Sequence, residues 1–186
     1  MANLIYSMLV SLDGFIETPD HKIDWIPMDE ELHRFFNEQA RESGLSLYGR
    51  RMYEVMSAWD TRDADPSATA IEVEFARIWQ ATPKMVFSKT VAAVGPNATL
   101  VRDLVPQEIT RLKAQTSKDI DVAGPTLAAQ LMRLGLIDEY RPVVCPVVLG
   151  GGTPFFPSLD APIPVKLVEQ RAFHSGVTYL RYAASR

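Results

Sequence analysis

The sequence predicts an α/β fold: a mainly parallel central sheet, helices on both faces and an antiparallel C-terminal hairpin. Short apolar runs alternate with segments of helical periodicity through the first two thirds of the chain. Glycines stand where apolar runs give way to helical patterns, as strand-to-helix turns require. The last third drops the alternation. There two apolar runs, Val165 to Phe173 and Val177 to Ala183, flank His174-Ser175-Gly176, a hairpin signal. The 186 residues suit one domain spanning 1–186, and no internal repeat, low-complexity tract or linker divides them.

Leu4 to Val10 is a short apolar run that ends at Ser11-Leu12-Asp13-Gly14, so it reads as a buried strand followed by a loop. Glu17 to Pro27, with two prolines and several polar residues, reads as a loop. Asp29 to Ser43 reads as a helix, because Leu32, Phe35, Phe36 and Ala40 share one face and acidic residues fill the first turn. Gly44 stops it. Leu45 to Tyr48 is a short buried strand, Gly49 a junction and Arg50 to Ser57 a short helix. After a polar break at 60–67, Ile71, Phe75, Ile78 and Trp79 mark a helix that Pro83 ends. Lys84 to Ser88 and the weaker Ala98 to Val101 read as strands, and Pro106 opens a helix with Ile109 and Leu112 inward. Asp119 to Ala123 is a strand, Gly124-Pro125 a sharp junction, and Thr126 to Leu134 a helix closed by Gly135. Arg141 to Leu149 reads as a long valine-rich strand.

Composition excludes several function classes. Lys and Arg total 19 against 23 Asp and Glu, a net charge of −4, so a generally basic nucleic-acid binder is excluded. A locally basic site for one small anion is not. Cys145 stands alone, which rules out an intrachain disulfide and a zinc site built on several thiolates, and points to the cytoplasm. No apolar run is long enough for a spanning helix, and the amino end does not read as a signal peptide, so no membrane partner is expected. His21, His33 and His174 lack the spacing of a metal-binding helix, and no metal is expected.

Two strand-to-helix junctions stand out, since ligands of open α/β sheets bind beyond the carboxyl ends of strands. At Tyr48-Gly49-Arg50-Arg51 a glycine admits a ligand to the backbone, a helix start offers free N–H groups, and two arginines add forked donors suited to phosphate. The alternative is a simple chain turn with solvated arginines. At Ala123-Gly124-Pro125-Thr126-Leu127, Pro125 suits the first helical position and the next two N–H groups are free for an anion. The alternative there is a purely structural helix start. Two such junctions in one domain point to a diphosphate-bearing cofactor. Ser88-Lys89-Thr90, at another strand end, offers two hydroxyls and an ammonium to a phosphate, or is a solvated loop. G-x-G-x-x-G, a P-loop and G-x-S-x-G are all absent, and Cys145 lies in an apolar strand as a small core residue.

Taken in order, five segments resemble the dihydrofolate reductase-like superfamily, and within it the stand-alone relatives of the riboflavin-biosynthesis reductase domain, the RibD C-terminal family. They are residues 11–16, 48–54, 84–90, 122–127 leading to Gly135-Leu136-Ile137-Asp138-Glu139, and Pro146 to Phe155. The resemblance implies a reductase that uses NADPH, similar to 5-amino-6-(5-phosphoribosylamino)uracil reductase or dihydrofolate reductase. It implies hydride transfer to a small heterocyclic substrate, pterin-like or pyrimidine-like. It maps the adenosine 2′-phosphate and ribose side onto Gly49, Arg50, Arg51, Ser88 and Lys89. It maps the pyrophosphate onto Gly124, Pro125, Thr126 and Leu127, and adds Gly150 and Gly151 to the cofactor set.

The substrate side falls to Asp13 and Gly14, with Phe15 and Trp25 as walls for a flat ring. Asp13 either accepts hydrogen bonds from that ring or caps its own turn. No residue is identified as the proton donor. Val122 replaces a glutamate frequent in the riboflavin reductases, Phe15 replaces a lysine, and the deaminase partner domain is absent. Glu30, Glu31 and Glu38 are available on the first long helix but do not align with the acidic residue of dihydrofolate reductases. The alternative is a non-catalytic NADPH- or folate-like-ligand-binding protein on the same fold. A homodimer is expected from the apolar Val143 to Phe156 region.

Overall fold

The computed structural model describes residues 1–185. Its strands are β1 (Leu4–Ser11), β2 (Phe15–Glu17), β3 (Ser43–Gly49), β4 (Lys84–Phe87), β5 (Ala98–Val101), β6 (Asp119–Ala123), β7 (Glu139–Cys145), β8 (Thr153–Pro154), β9 (Val165–Ala172) and β10 (Thr178–Ala184). The helices are α1 (Glu30–Glu42), α2 (Arg50–Met56), α3 (Ala70–Ala81), α4 (Pro106–Gln115) and α5 (Pro125–Arg133). The main sheet runs β5-β4-β3-β6-β1-β7-β10-β9. Every pair from β5 to β7 is parallel, and β10 and β9 close it antiparallel. β2 and β8 form a separate two-stranded antiparallel ribbon.

Alternation along the strands builds two cores. On one face Leu4, Tyr6, Leu47, Ile120 and Val122 pack under Ile109 of α4 and Leu127 and Leu131 of α5. Each fully buried leucine or isoleucine stabilises by roughly 1.5–3 kcal/mol. On the other face Leu32 and Phe35 of α1 cover Val143, Cys145 and Tyr179, while Trp79 of α3 meets Tyr48, Tyr53 and Val86. Beneath α1 the sheet is polar. Glu139 receives Arg141 at 2.9 and 2.7 Å and Arg181 at 2.9 and 2.7 Å, and Arg141 reaches Gln39 of α1 at 2.8 Å. Lys84 is buried at the start of β4 and donates to the carbonyls of Trp79 and Thr82, closing the C-terminus of α3.

The architecture agrees with the predicted class, and two local readings need correction. The valine-rich strand starts earlier and stops at Cys145 rather than Leu149. Its ladder with β1 ends at Ser11 opposite Cys145, and Pro146, lacking an N–H, begins a turn in which Val147 N–H donates to the Cys145 carbonyl at 2.8 Å. Glu139, polar in sequence, belongs to the strand because two arginines neutralise it there. The stretch from Glu17 onward is not wholly loop, since Phe15–Glu17 pairs with Thr153–Pro154. Of the Val143 to Phe156 region from which a homodimer is expected, Val143 and Cys145 pack inside the chain against Leu32 and Phe35, while Val148 and Phe156 stay exposed.

Candidate functional site

The topology makes one crevice. From β3 the chain passes outward to β4, whereas from β6 it crosses β1 to reach β7. The carboxyl ends of β3 and β6 are therefore a topological switch point, where ligands of open sheets bind. Gly49 and Gly124 occupy those two ends and lie against each other. A Cβ on Gly124 would sit 3.6 Å from the Gly49 nitrogen and 3.3 Å from the Met52 Cβ. Gly124 has φ +106°, a conformation that side-chain-bearing residues rarely adopt. α1 is capped by Asp29 and α3 by a Thr69–Glu72 capping box, but no side chain caps α2 or α5. α4 is also uncapped but begins beside the edge strand β5. The first ladder bond of α5 runs from Ala128 N–H to the Gly124 carbonyl at 3.1 Å, which leaves the N–H groups of Thr126 and Leu127 outside the ladder. Pro125 has none to leave.

The adjacent arginines part company. Arg50 turns toward β4, donating to the Thr90 hydroxyl at 3.2 Å, with its Nε 3.5 Å from Glu54. Its neighbours there are Ser88 and Lys89. Ser88 is buried, and its hydroxyl oxygen accepts from the N–H groups of Thr90 and Val91 at 3.2 and 3.1 Å, so it shapes the loop. Lys89 is 82% exposed, 3.8 Å from Asp103. Arg51 turns the other way, to Glu17 of β2 at 3.1 Å. Gly49 thus pairs with Phe87, next to Ser88, and Arg50 reaches Thr90 on the same strand end, while Arg51 turns to the ribbon.

Asp13 caps its own turn. Its Oδ1 accepts from the Ser11 hydroxyl at 2.6 Å and Leu149 N–H at 3.1 Å, and its Oδ2 from Gly150 N–H at 2.7 Å. These bonds, led by Ser11, hold its carboxyl down at about 2. The bonds of Asp13 tie the Leu12–Gly14 loop to Leu149 and Gly150, with Gly14 at φ +94° and Gly150 at φ +74°. The Asp13 carboxylate clasps two loops and stays exposed. Phe15 is half-buried opposite Pro154 in the ribbon. Trp25 packs on the core around Leu32 and Phe35 and donates to the Lys22 carbonyl at 3.1 Å.

Two residues that the sequence did not single out complete the crevice. Glu17 accepts from the Thr153 hydroxyl at 2.6 Å and contacts His21 at 2.9 Å, besides Arg51. Thr153 and Pro154 line, with Pro125, Thr126, Gln130 and Arg133, an open cleft of ≈ 340 Å³ along α5. No sequence signal marked Glu17, because its partner lies 136 residues away on a two-residue strand. Of the other candidate chemistry, burial pushes the Cys145 thiol up to about 11, which keeps it a protonated core residue. His33 packs beside Trp59 and Phe75, where burial lowers its pKa. No helix among the described residues is long and apolar enough to cross a membrane.

Known proteins share this arrangement. The RibD C-terminal domain family model matches residues 2–179. YyaP of Bacillus subtilis (strain 168), named only as an uncharacterized protein, is 33% identical over 180 residues, covering 96% of this chain and 93% of that protein. A crystal structure from Shewanella sp. PV-4, provisionally assigned to riboflavin biosynthesis, superposes with TM-score 0.78 at 22% identity over 100% of both chains. Dihydrofolate reductase from Enterococcus faecalis, complexed with NADP(H) and RAB-propyl, gives TM-score 0.66 at 13% identity over 99% of this chain and 97% of that one. These two structural likenesses establish the fold.

Proposed function

The chain belongs to the RibD C-terminal domain family, and on that footing we propose that it is an NADPH-dependent reductase of a small heterocyclic, pterin- or pyrimidine-like substrate. The observation that carries the reading is the meeting of Gly49 and Gly124 at the switch point, with an uncapped helix leaving each. A diphosphate fits there. The cradle is one that a Cβ on Gly124 would fill, and the Thr126 and Leu127 N–H groups sit at the positive end of α5. NADPH is preferred to NADH because Arg50 and Lys89 put two cations beside the Ser88–Thr90 loop, where the additional phosphate finds a forked donor.

When bound, NADPH supplies a hydride. The chain holds the diphosphate on α5, anchors the 2′-phosphate through Arg50, and walls the substrate side with the loops that Asp13 clasps together. Asp13 is ionised throughout neutral pH and donates no proton. In this reading water delivers it. That same state of Asp13 favours a second reading, a protein that binds the dinucleotide without turnover; steady NADPH oxidation with any member of a pterin and pyrimidine panel excludes it.

Titration with NADPH and NADH tests the cofactor. Arg50→Ala is expected to weaken NADPH about tenfold, roughly 1.4 kcal/mol for one exposed charge-assisted contact, and to change NADH less than about twofold. No NADPH binding at millimolar concentration refutes the reading. Equal losses for both cofactors remove the 2′-phosphate from Arg50.

A further inference from the structure

Arg51 and Glu17 form an ion pair that spans the crevice. Arg51 leaves the first turn of α2, beyond the end of β3. Glu17 belongs to the ribbon that follows β1. Between β3 and β1 lies β6, whose end is Gly124 and the start of α5. The ribbon faces α5 across an open cleft that Thr153 and Pro154 line together with Pro125 and Thr126. The pair thus reaches over the helix start at which a diphosphate is expected.

The two partners are not held equally. The Glu17 side chain is 13% exposed and that of Arg51 is 55% exposed. Glu17 is fixed by the Thr153 hydroxyl at 2.6 Å and by His21 at 2.9 Å. Its backbone is fixed as well: a Cβ on Gly152 would come 1.9 Å from the Glu17 carbonyl oxygen, so the ribbon strands pack backbone to backbone at this point. Arg51 makes a single contact to Glu17, at 3.1 Å, on a long, solvated side chain. An incoming anion therefore draws the arginine away and leaves the glutamate in place.

We propose that Glu17 is the resident counter-ion of Arg51 and sets dinucleotide affinity by competing with the diphosphate for that guanidinium. The proposal rests on the reading that a dinucleotide lies across α5. Binding exchanges the Glu17–Arg51 pair for a phosphate–Arg51 pair, and it brings the diphosphate toward a carboxylate that stays. Both effects oppose binding, so Glu17 keeps affinity below what the cations alone would give. It acts through Arg51 and is a specificity-setting residue rather than a catalytic one.

Glu17→Gln keeps an acceptor for Thr153 and removes the charge. Titrations of wild type, Glu17→Gln, Arg51→Ala and the double variant use NADPH, ADP and inorganic pyrophosphate, with adenosine as the uncharged control. Glu17→Gln is expected to tighten all three diphosphates about three- to tenfold at low salt, with the gain shrinking at high salt. Adenosine affinity stays constant. The gain falls by more than half in the Arg51→Ala background, because the carboxylate then has no guanidinium to withhold. Should Glu17→Gln fail to fold, Glu17→Asp, one methylene too short to span the crevice, is expected to tighten binding in the same direction. Unchanged or weaker diphosphate binding by the glutamate variant that folds, or an equal gain with and without Arg51, overturns the proposal while leaving the reductase reading intact. Failure of all three diphosphates to bind any of the proteins overturns both.

Discussion

Replacing Gly124 by alanine tests the crevice through two separable costs. The backbone at Gly124, φ +106° and ψ +127°, lies outside the regions open to L-residues, and forcing a side chain there costs about 1–3 kcal/mol. The new Cβ would also stand 3.3 Å from the Met52 Cβ and 3.6 Å from the Gly49 nitrogen, so α2 and α5 must separate by a few tenths of an ångström. Together the costs come to roughly 2–4 kcal/mol, or a Tm lower by about 4–16 °C for a chain of this size. Gly135→Ala is the control. Gly135 has φ +64° with nothing within 4 Å of an added Cβ, so it carries strain without crowding and should lose only about 1 kcal/mol. Urea unfolding reports stability, and NADPH titration reports the cradle. Gly124→Ala is expected to weaken NADPH about tenfold or more, and Gly135→Ala to leave it unchanged. A Gly124→Ala protein that unfolds within about 0.5 kcal/mol of wild type and binds NADPH equally well refutes the argument that this close approach builds the site.

Two further predictions concern buried charge. Burial pushes the Asp121 carboxyl up from 3.8 to about 6, so the folded state holds its proton more tightly than the unfolded state. The resulting stability is complete below pH 3.8 and is lost as pH rises through 6, at most about 3 kcal/mol in all; Asp121→Asn should flatten a urea-stability profile over that window, and an unaltered profile rejects the assignment. Glu139→Gln removes the carboxylate charge that Arg141 and Arg181 share under α1 and leaves one acceptor oxygen, and should cost about 3 kcal/mol in chemical unfolding; a loss under about 1 kcal/mol would mean that water or Gln39 already satisfies those guanidinium groups.

What the sequence displayed and what it hid divide along physical lines. Helix starts were legible where local chemistry marks them: the prolines at 106 and 125 do open α4 and α5, and Asp29, read as the first helical residue, turns out to be the N-cap of α1, accepting from Leu32 N–H at 2.8 Å. The hairpin was legible because Gly176, at φ +81°, and the flanking runs act over a few residues. The carboxyl end of β7 was not. Val147, Val148 and Leu149 look like strand, but the ladder ends at Ser11 opposite Cys145; only Leu12 N–H bonds beyond it, to the Val147 carbonyl at 2.8 Å, and Val148 ends up 67% exposed. A strand ends where its neighbour ends, and that neighbour is over a hundred residues away in the chain. β2 and β8, of three and two residues, are too short for any alternation to register.

The site follows the same rule, and the two arginines show it most clearly. Side by side in sequence they read as one doubled cation. Successive helical residues point about 100° apart, so adjacency at the start of α2 compels them to diverge. One direction meets Thr90 at the end of β4 and the other meets Glu17 on the ribbon. Which arginine takes which direction depends on the order β4-β3-β6-β1, a property of the whole sheet. A net charge of −4 hides both of them equally. Separated in this way, Arg50 pairs at 3.5 Å with Glu54, about half exposed and one turn along the same helix, whereas Arg51 pairs at 3.1 Å with Glu17, whose side chain is only 13% exposed. Two identical side chains are thereby set to meet the same dinucleotide at different cost: Arg50 gives up a solvated partner, and Arg51 a largely buried one.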